Sequence, residues 1–182
     1  MSDRELLSAY ADRRDMVCLG TFFSRHESPL LRFASSLLGD AEAAQDVVQE
    51  TFLAVLRRPR RLLAAHSCRN WLLKVTRNTG IDHLRREIRH RRKVEGLAQE
   101  TDGKAPEHAS RDPDAVEVQD ERARVRRAIQ ALPPHYREVL LLKIEHDKSY
   151  QEIAEITGLT VPNVGYRLHE AMKALTKKLS SK

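Results

Sequence analysis

The segment SYQEIAEITGLTVPNVGYRLHEAM, from Ser149 to Met172, contains the clearest local pattern of the chain. It predicts two short helices, because Ser149 is suited to cap the first and Gly158 to end it in a left-handed conformation. Thr160 is suited to cap the second helix, and Pro162 fits its first turn. We therefore expect two helices joined by a tight turn.

The second of these helices has an apolar side and a polar side. Its apolar residues recur every three or four positions, the spacing of one buried helix face: Val161, Val164, Leu168, Ala171 and Leu175. Polar side chains occupy the opposite side and its flank: Asn163, Tyr166, Arg167, His169 and Lys173. This pattern is typical of a helix-turn-helix, whose second helix can enter the major groove of DNA. A plain helical hairpin on a bundle surface is the alternative.

The composition is that of a helical protein with a basic surface. The 182 residues are 41% hydrophobic but only 5% aromatic, and seven Gly and seven Pro favour helices with short loops over a β fold. The formal net charge of +6 is typical of a protein that binds a polyanion. A well-solvated surface would give the same total.

The charge is unevenly distributed along the chain. Residues 96–121 carry eight acidic and two basic side chains, whereas the segments on either side are both basic. Glycines, prolines and a lack of apolar periodicity indicate that this acidic stretch is a linker. We therefore predict an all-α fold of two small helical domains, residues 1–95 and 122–182, joined by a flexible acidic linker over residues 96–121.

The first domain is predicted to contain four helices. Apolar spacing together with capping, proline and glycine signals places them at roughly 3–25, 29–38, 41–58 and 70–93. The segment between the last two is expected to be a loop.

Several functional classes are not expected from this sequence. Cys18 and Cys68 have no partner at a metal-ligand spacing, so we expect no metal, and two reduced thiols suit a cytoplasmic protein. The polar start of the chain does not look like a signal peptide, and no apolar run is long enough for a membrane span. There is no nucleophile–base pair and no glycine-rich phosphate loop, so we expect no cofactor and no enzymatic activity.

Three segments together resemble the bacterial extracytoplasmic-function (ECF) sigma factors. ALPPHYREVLLLKIEHDKSYQEIAEITGLTVPNVGYRLHEAMKAL is similar to the C-terminal helix-turn-helix domain of that family. LLRFASSLLGDAEAAQDVVQETFLAVLRR and NWLLKVTRNTGIDHLRRE look like the two signature helices of its N-terminal domain. The resemblance covers nearly the whole chain. It implies a non-enzymatic subunit that binds core RNA polymerase and selects promoter DNA.

The resemblance also implies where the polymerase would bind. Within QDVVQETF, the polar residues Asp46, Gln49 and Glu50 would dock on a coiled coil of the largest polymerase subunit. The C-terminal domain would bind the polymerase flap, and an anti-sigma factor is a possible further partner.

Two helices would contact the promoter. Asn78 and Asp82 would face the minus-ten element, and the arginine cluster after them suits phosphate contacts: Arg85, Arg86 and Arg89. The segment from residue 60 to residue 70 would receive a base flipped from the non-template strand. The minus-thirty-five element would meet the polar side of the last helix: Thr160, Asn163, Tyr166, Arg167, His169 and Lys173.

Two departures from the family pattern motivate a rival interpretation. Gly165 and Glu170 stand where the family usually has basic residues, which weakens the positive charge of the last helix. The chain could therefore be a sigma mimic, which binds an anti-sigma factor or polymerase without promoter output. An ordinary dimeric helix-turn-helix regulator is less compatible with the sequence, because it would not need the VQETF segment.

Overall fold

The computed structural model describes the backbone of residues 1–95 and 113–180, and the side chains of residues 1–90 and 121–180. All regular structure within these ranges is helical, so the predicted all-α class is confirmed. The helices are α1 (Asp3–Arg13), α2 (Met16–Leu38), α3 (Ala41–Arg57), α4 (Pro59–Leu63), α5 (Cys68–Glu95), α6 (Pro113–Gln130), α7 (Pro134–Ile144), α8 (Tyr150–Thr157) and α9 (Val161–Ser180). None of these described helices is long and apolar enough to cross a membrane.

The N-terminal helices differ from the prediction in their boundaries. The helix expected over residues 3–25 ends at Arg13, because Arg14 adopts a left-handed φ of 56° and Asp15 caps a new helix through Val17 N and Cys18 N. That second helix runs through Pro29 instead of beginning there. Burial of its continuous apolar face outweighs the local cost of a proline in a helix: Leu19, Phe22, Leu30, Phe33 and Leu37.

The next two elements follow the sequence more closely. Asp40 caps α3 by accepting hydrogen bonds from Glu42 N at 2.8 Å and Ala43 N at 3.1 Å. The expected loop after Pro59 contains the single-turn helix α4, which forms because Leu62 is fully buried.

Part of the predicted linker lies outside the described residues, namely residues 96–112. The backbone of the remainder is helical, since α6 begins at Pro113. The division into domains at 1–95 and 122–182 stays a prediction.

The two halves of the chain pack against each other around a shared apolar core. Phe33 of α2 meets the ring of His146 edge-on, with 5.4 Å between ring centroids. The buried guanidinium of Arg137 donates to the carbonyl of Leu37 at 2.6 Å and to that of Leu132 at 2.9 Å. Because a helix leaves its last carbonyls without internal partners, Arg137 caps the end of α2 from the other half of the chain.

The predicted helix-turn-helix is confirmed in its local geometry. Ser149 and Glu152 form a reciprocal capping box at the start of α8, and Gly158 ends that helix with a φ of 76°. Thr160 Oγ1 accepts a hydrogen bond from Asn163 N at 3.4 Å, so that it caps α9. The buried side of α9 contains Val164, Leu168 and Ala171, as expected. Val161, in the first turn, was expected on this side but is 37% exposed, and Leu175 is half-buried.

Candidate functional site

The outer side of α5 presents the residues expected to contact the minus-ten element. Asn78, Asp82 and the three arginines at 85, 86 and 89 are all exposed. Arg85 forms an exposed ion pair with Asp82 at 3.3 Å, and Arg86 donates to the carbonyl of Asp82 at 3.3 Å. Such exposed pairs contribute little to stability. The guanidinium groups are therefore readily available to an external phosphate.

The segment 60–70, expected to receive a flipped base, is compact at its start and polar at its end. Arg4 donates to the carbonyl of Leu63 at 2.7 Å, which ties α4 to the first helix. Asn70 donates through Nδ2 to Glu152 Oε1 at 3.2 Å, and its buried Oδ1 has no hydrogen-bond partner among the described residues. His66, between these two ends, is exposed.

The polar side of α9 faces away from the core, as the sequence predicts. Five of its six candidate DNA-binding residues are exposed: Thr160, Asn163, Tyr166, His169 and Lys173. Tyr166 is 62% exposed. Burial raises the pKa of the neighbouring Tyr136, and the nearby Tyr166 and Glu170 side chains add to that shift. Most of the Tyr166 surface is therefore open to a partner.

Arg167 differs from the other five because its guanidinium binds a buried carboxylate. Its Nη1 lies 3.3 Å from Oε1 of Glu138, whose side chain is only 1% exposed. The second oxygen of Glu138 binds Arg77 Nε of α5 at 2.7 Å. A buried carboxylate requires such partners, because it has lost its hydration. Sequence reasoning missed Glu138, although an acid inside the apolar run REVLLL was a usable signal.

The outer side of α3 presents the residues expected to bind polymerase. Asp46, Gln49 and Glu50 are all exposed. Beside them a groove of about 530 Å³ opens between α2 and α3. Its apolar lining includes the stacked rings of Phe23 and Phe52, whose centroids are 4.2 Å apart, and Leu53, which is 40% exposed. Sequence reasoning did not predict this groove, because it depends on how α2 packs against α3.

No cluster of three or more His, Cys, Asp or Glu side chains in the described part of the chain could hold a metal ion. The arrangement instead offers exposed basic helices and one face of mixed apolar and acidic character. Exposed helical surfaces of this kind are suited to contacts with macromolecules.

Models of two sequence families match the two halves of the chain. Sigma-70 region 2 matches residues 22–92, which include α3 and most of α5. Sigma-70, region 4 matches residues 122–175, which include the helix-turn-helix.

Two curated sigma factors are similar to the chain over most of its length. The chain is 34% identical over 154 residues to the ECF RNA polymerase sigma factor SigL of Mycobacterium tuberculosis, and the match covers 84% of each protein. It is 28% identical over 165 residues to the RNA polymerase sigma factor SigV of Bacillus subtilis, covering 89% of this chain and 91% of that protein.

Solved structures show the same fold. The sigma factor RpoE in complex with the anti-sigma factor NepR, from Bartonella quintana, has a TM-score of 0.66 at 22% identity, covering 89% of this chain and 98% of that one. CnrH in complex with the cytosolic domain of CnrY has a TM-score of 0.68 at 23% identity, covering 99% and 98%.

Proposed function

The chain belongs to the ECF sigma factors, and on that premise we propose that it directs core RNA polymerase to specific promoters and helps to initiate transcription there. One observation carries the proposal: a single chain presents an exposed docking face on α3 and two exposed polar helices, α5 and α9. Core polymerase carries out the chemistry. The sigma factor contributes binding energy and promoter selectivity.

The polymerase contact is proposed to lie on α3. Asp46, Gln49 and Glu50 provide hydrogen-bonding groups and negative charge, and the adjoining groove between α2 and α3 provides apolar surface. A buried apolar centre with a polar rim is the usual composition of a protein interface. The partner we propose is a coiled coil of the largest polymerase subunit.

Reversing the charge of Glu50 should weaken the complex with core polymerase. We expect Glu50→Lys to raise the dissociation constant roughly tenfold, because it replaces a complementary charge with a repulsive one. The fold should survive, since a surface substitution usually costs within about 0.5 kcal/mol. The measurement is the affinity of the labelled protein for purified core, with Asp12→Lys on α1 as the charge-reversal control. Equal affinities for Glu50→Lys and wild type would exclude this docking site.

The minus-ten contact is proposed to lie on the outer side of α5. Asn78 and Asp82 would face bases, and the arginines beyond them would bind phosphates, which add affinity without sequence information.

The C-terminal contact is proposed to lie on α9 and to place the helix-turn-helix on the minus-thirty-five element, next to the polymerase flap. There Asn163 and Tyr166 are the best placed to read bases, since Arg167 is held by Glu138.

The phosphate role of α5 predicts a change in salt dependence. Arg86→Ala should weaken holoenzyme binding to every promoter fragment alike, and should reduce the slope of log affinity against log salt by about 0.9. The measurement is a salt titration with two promoters of unrelated sequence, and Arg13→Ala on α1 is the control. A loss confined to one promoter would instead assign Arg86 to base recognition.

An anti-sigma factor is the further partner that we propose. A groove of about 970 Å³ separates the end of α2 from α6 and α7, and its apolar lining includes Leu31, Val125, Ile129 and Leu141. Apolar grooves of this kind suit an amphipathic helix. Both solved relatives named above are in complexes with partner proteins, the first described as an anti-sigma factor.

The sigma-mimic alternative is favoured by the two departures on α9. A Cβ atom at Gly165 would meet the Tyr150 ring at 3.6 Å, an ordinary contact, so packing does not require glycine there. Contact with Tyr150 therefore does not account for the absence of a side chain at Gly165. Transcription from a promoter library distinguishes the two functions.

A further inference from the structure

Four residues form one polar stripe along the outer side of α9. Asn163, Tyr166, Glu170 and Lys173 follow one another at spacings of three, four and three positions, which places them on the same side of a helix. The stripe lies away from the buried face of α9, which packs on the core. We call these four residues the polar stripe.

The polar stripe is long enough to face several base pairs. A helix rises about 1.5 Å per residue, so Asn163 and Glu170 are about 10.5 Å apart along the axis. Successive base pairs of B-DNA are about 3.4 Å apart. With α9 in a major groove, as in other helix-turn-helix proteins, the two side chains would therefore meet positions about three base pairs apart.

Glu170 brings unused hydrogen-bond acceptors to this stripe. Its side chain is half-buried, and no hydrogen bond or ion pair to it occurs among the described residues. Arg167, three positions earlier, is held by the buried carboxylate of Glu138. The two oxygens of Glu170 are therefore available to a donor outside the protein.

A carboxylate in the major groove distinguishes bases by the groups that it meets there. It only accepts hydrogen bonds, and cytosine presents the N4 amino donor. Adenine presents a donor at N6 beside an acceptor at N7, whereas guanine and thymine present acceptors and no donor. The phosphates of the groove also repel a carboxylate. A carboxylate therefore weakens binding unless a donor faces it, so that the wrong base is costly.

We propose that Glu170 recognises a cytosine of the minus-thirty-five element through its N4 amino group, and thereby sets part of the promoter preference of this sigma factor. The inference rests on the proposed contact of α9 with that element. It gives a function to one of the two departures from the family pattern, because a basic residue at this position would favour guanine or a phosphate. Lys173, about one turn further, keeps a cation on the stripe for a phosphate.

The test is a promoter selection with purified holoenzyme. The starting promoter is one that wild type transcribes, its minus-thirty-five region is randomised, and a barcode in each transcript identifies its template. Glu170→Gln removes the charge and keeps the length of the side chain. The matched control is Glu155→Gln, which removes the same charge from an exposed position on α8 of the same helix-turn-helix.

We expect wild type to prefer cytosine at one position by about tenfold over guanine or thymine, which is near the lower end of what a good base contact achieves. Glutamine pairs best with N6 and N7 of adenine. Glu170→Gln should therefore change the preferred base at that position from cytosine to adenine and leave the other positions unchanged. Glu155→Gln should keep the wild-type preference.

Holoenzyme affinity for labelled duplexes gives a second readout, which a merely structural role of Glu170 would not change. Replacing the selected C·G pair by G·C should weaken binding by wild type about tenfold. The same replacement should weaken binding by Glu170→Gln by less than about twofold, because the carboxylate that the base pair contacts is already absent.

Identical base preferences for wild type and Glu170→Gln, with only a uniform gain in affinity, would overturn the inference and leave Glu170 as a repulsive charge. Wild-type transcription without a cytosine preference at any position would also overturn it, while the proposed function would stand. A wild-type protein that gives no specific transcript from a broad library would contradict the proposed function and this inference together. If Glu170→Gln fails to fold, as thermal unfolding would show, Glu170→Ala replaces it and should lose the cytosine preference without gaining one for adenine.

Discussion

Replacing His146 by leucine should remove most of the loss of stability that the wild-type protein suffers between about pH 6.5 and pH 5. His146 is 7% exposed, lies between the two halves against Phe33, and neither ring nitrogen has a hydrogen-bond partner among the described residues. Burial lowers its pKa to about 4, and the nearby cations Arg69, Lys148 and Arg32 add to the effect.

The direction of the pH effect follows from this lowered pKa. The unfolded chain takes up a proton at His146 as the pH falls below about 6.5, whereas the folded chain resists until about pH 4. Stability is therefore lost on acidification across that window, by about 2 kcal/mol at pH 5. The contribution of Glu152 is lost in a lower window, from about 4.5 down to about 2. Burial raises the pKa of the neighbouring Glu145, which opposes the loss near pH 4.5.

Urea unfolding at pH 6.5 and pH 5 measures this prediction, with the exposed His66→Leu as the matched control. The control should lose the same free energy of unfolding as wild type, and His146→Leu should lose little. Parallel losses in all three proteins would show that the buried imidazole is not the group responsible. Because His146 lies at the contact between the halves, acid should also favour their separation.

Local signals predicted the helix-turn-helix well. The cap at Ser149, the left-handed Gly158 and the cap at Thr160 depend on residues within a few positions of each other, and the structure contains all three. The same reasoning placed a helix start at Pro29, where Ser28 and Pro29 form a plausible cap. The predicted helix start at Pro29 was wrong, because α2 continues through this proline. The apolar face of α2 is buried by helices that are distant in sequence, and a local pattern does not reveal such packing.

Packing between the halves could not be predicted. Glu138 and Arg137 are buried among leucines because their partners come from α2, α5 and α9, which no local pattern reveals. Conversely, the large apolar side chains of Ile88 and Ile144 are 46% and 53% exposed. Ile88 lies in the later part of α5, where the neighbouring positions are also exposed, and Ile144 is the last residue of α7.

Substitution of Asn163 should reduce promoter-specific transcription. Asn163 is exposed in the first turn of α9, where a helix-turn-helix meets base edges, and its backbone N–H is already bound by Thr160. An amide that makes a good bidentate contact to a base discriminates by about 1–3 kcal/mol, so Asn163→Ala should lower transcript yield about tenfold. Core affinity should not change, because Asn163 is not among the residues proposed to contact polymerase. Lys178→Ala, near the far end of α9, is the control, and an equal loss in both variants would exclude base reading by Asn163.

Run-off transcription with purified core polymerase on a broad promoter library tests the sigma-factor function most directly. We predict that the wild-type protein yields a transcript with a defined start site from a distinct set of library promoters, and that Asn163→Ala yields about tenfold less from the same set. A protein that binds core polymerase but gives no specific transcript from any promoter would contradict this function, and would identify the chain as a sigma mimic.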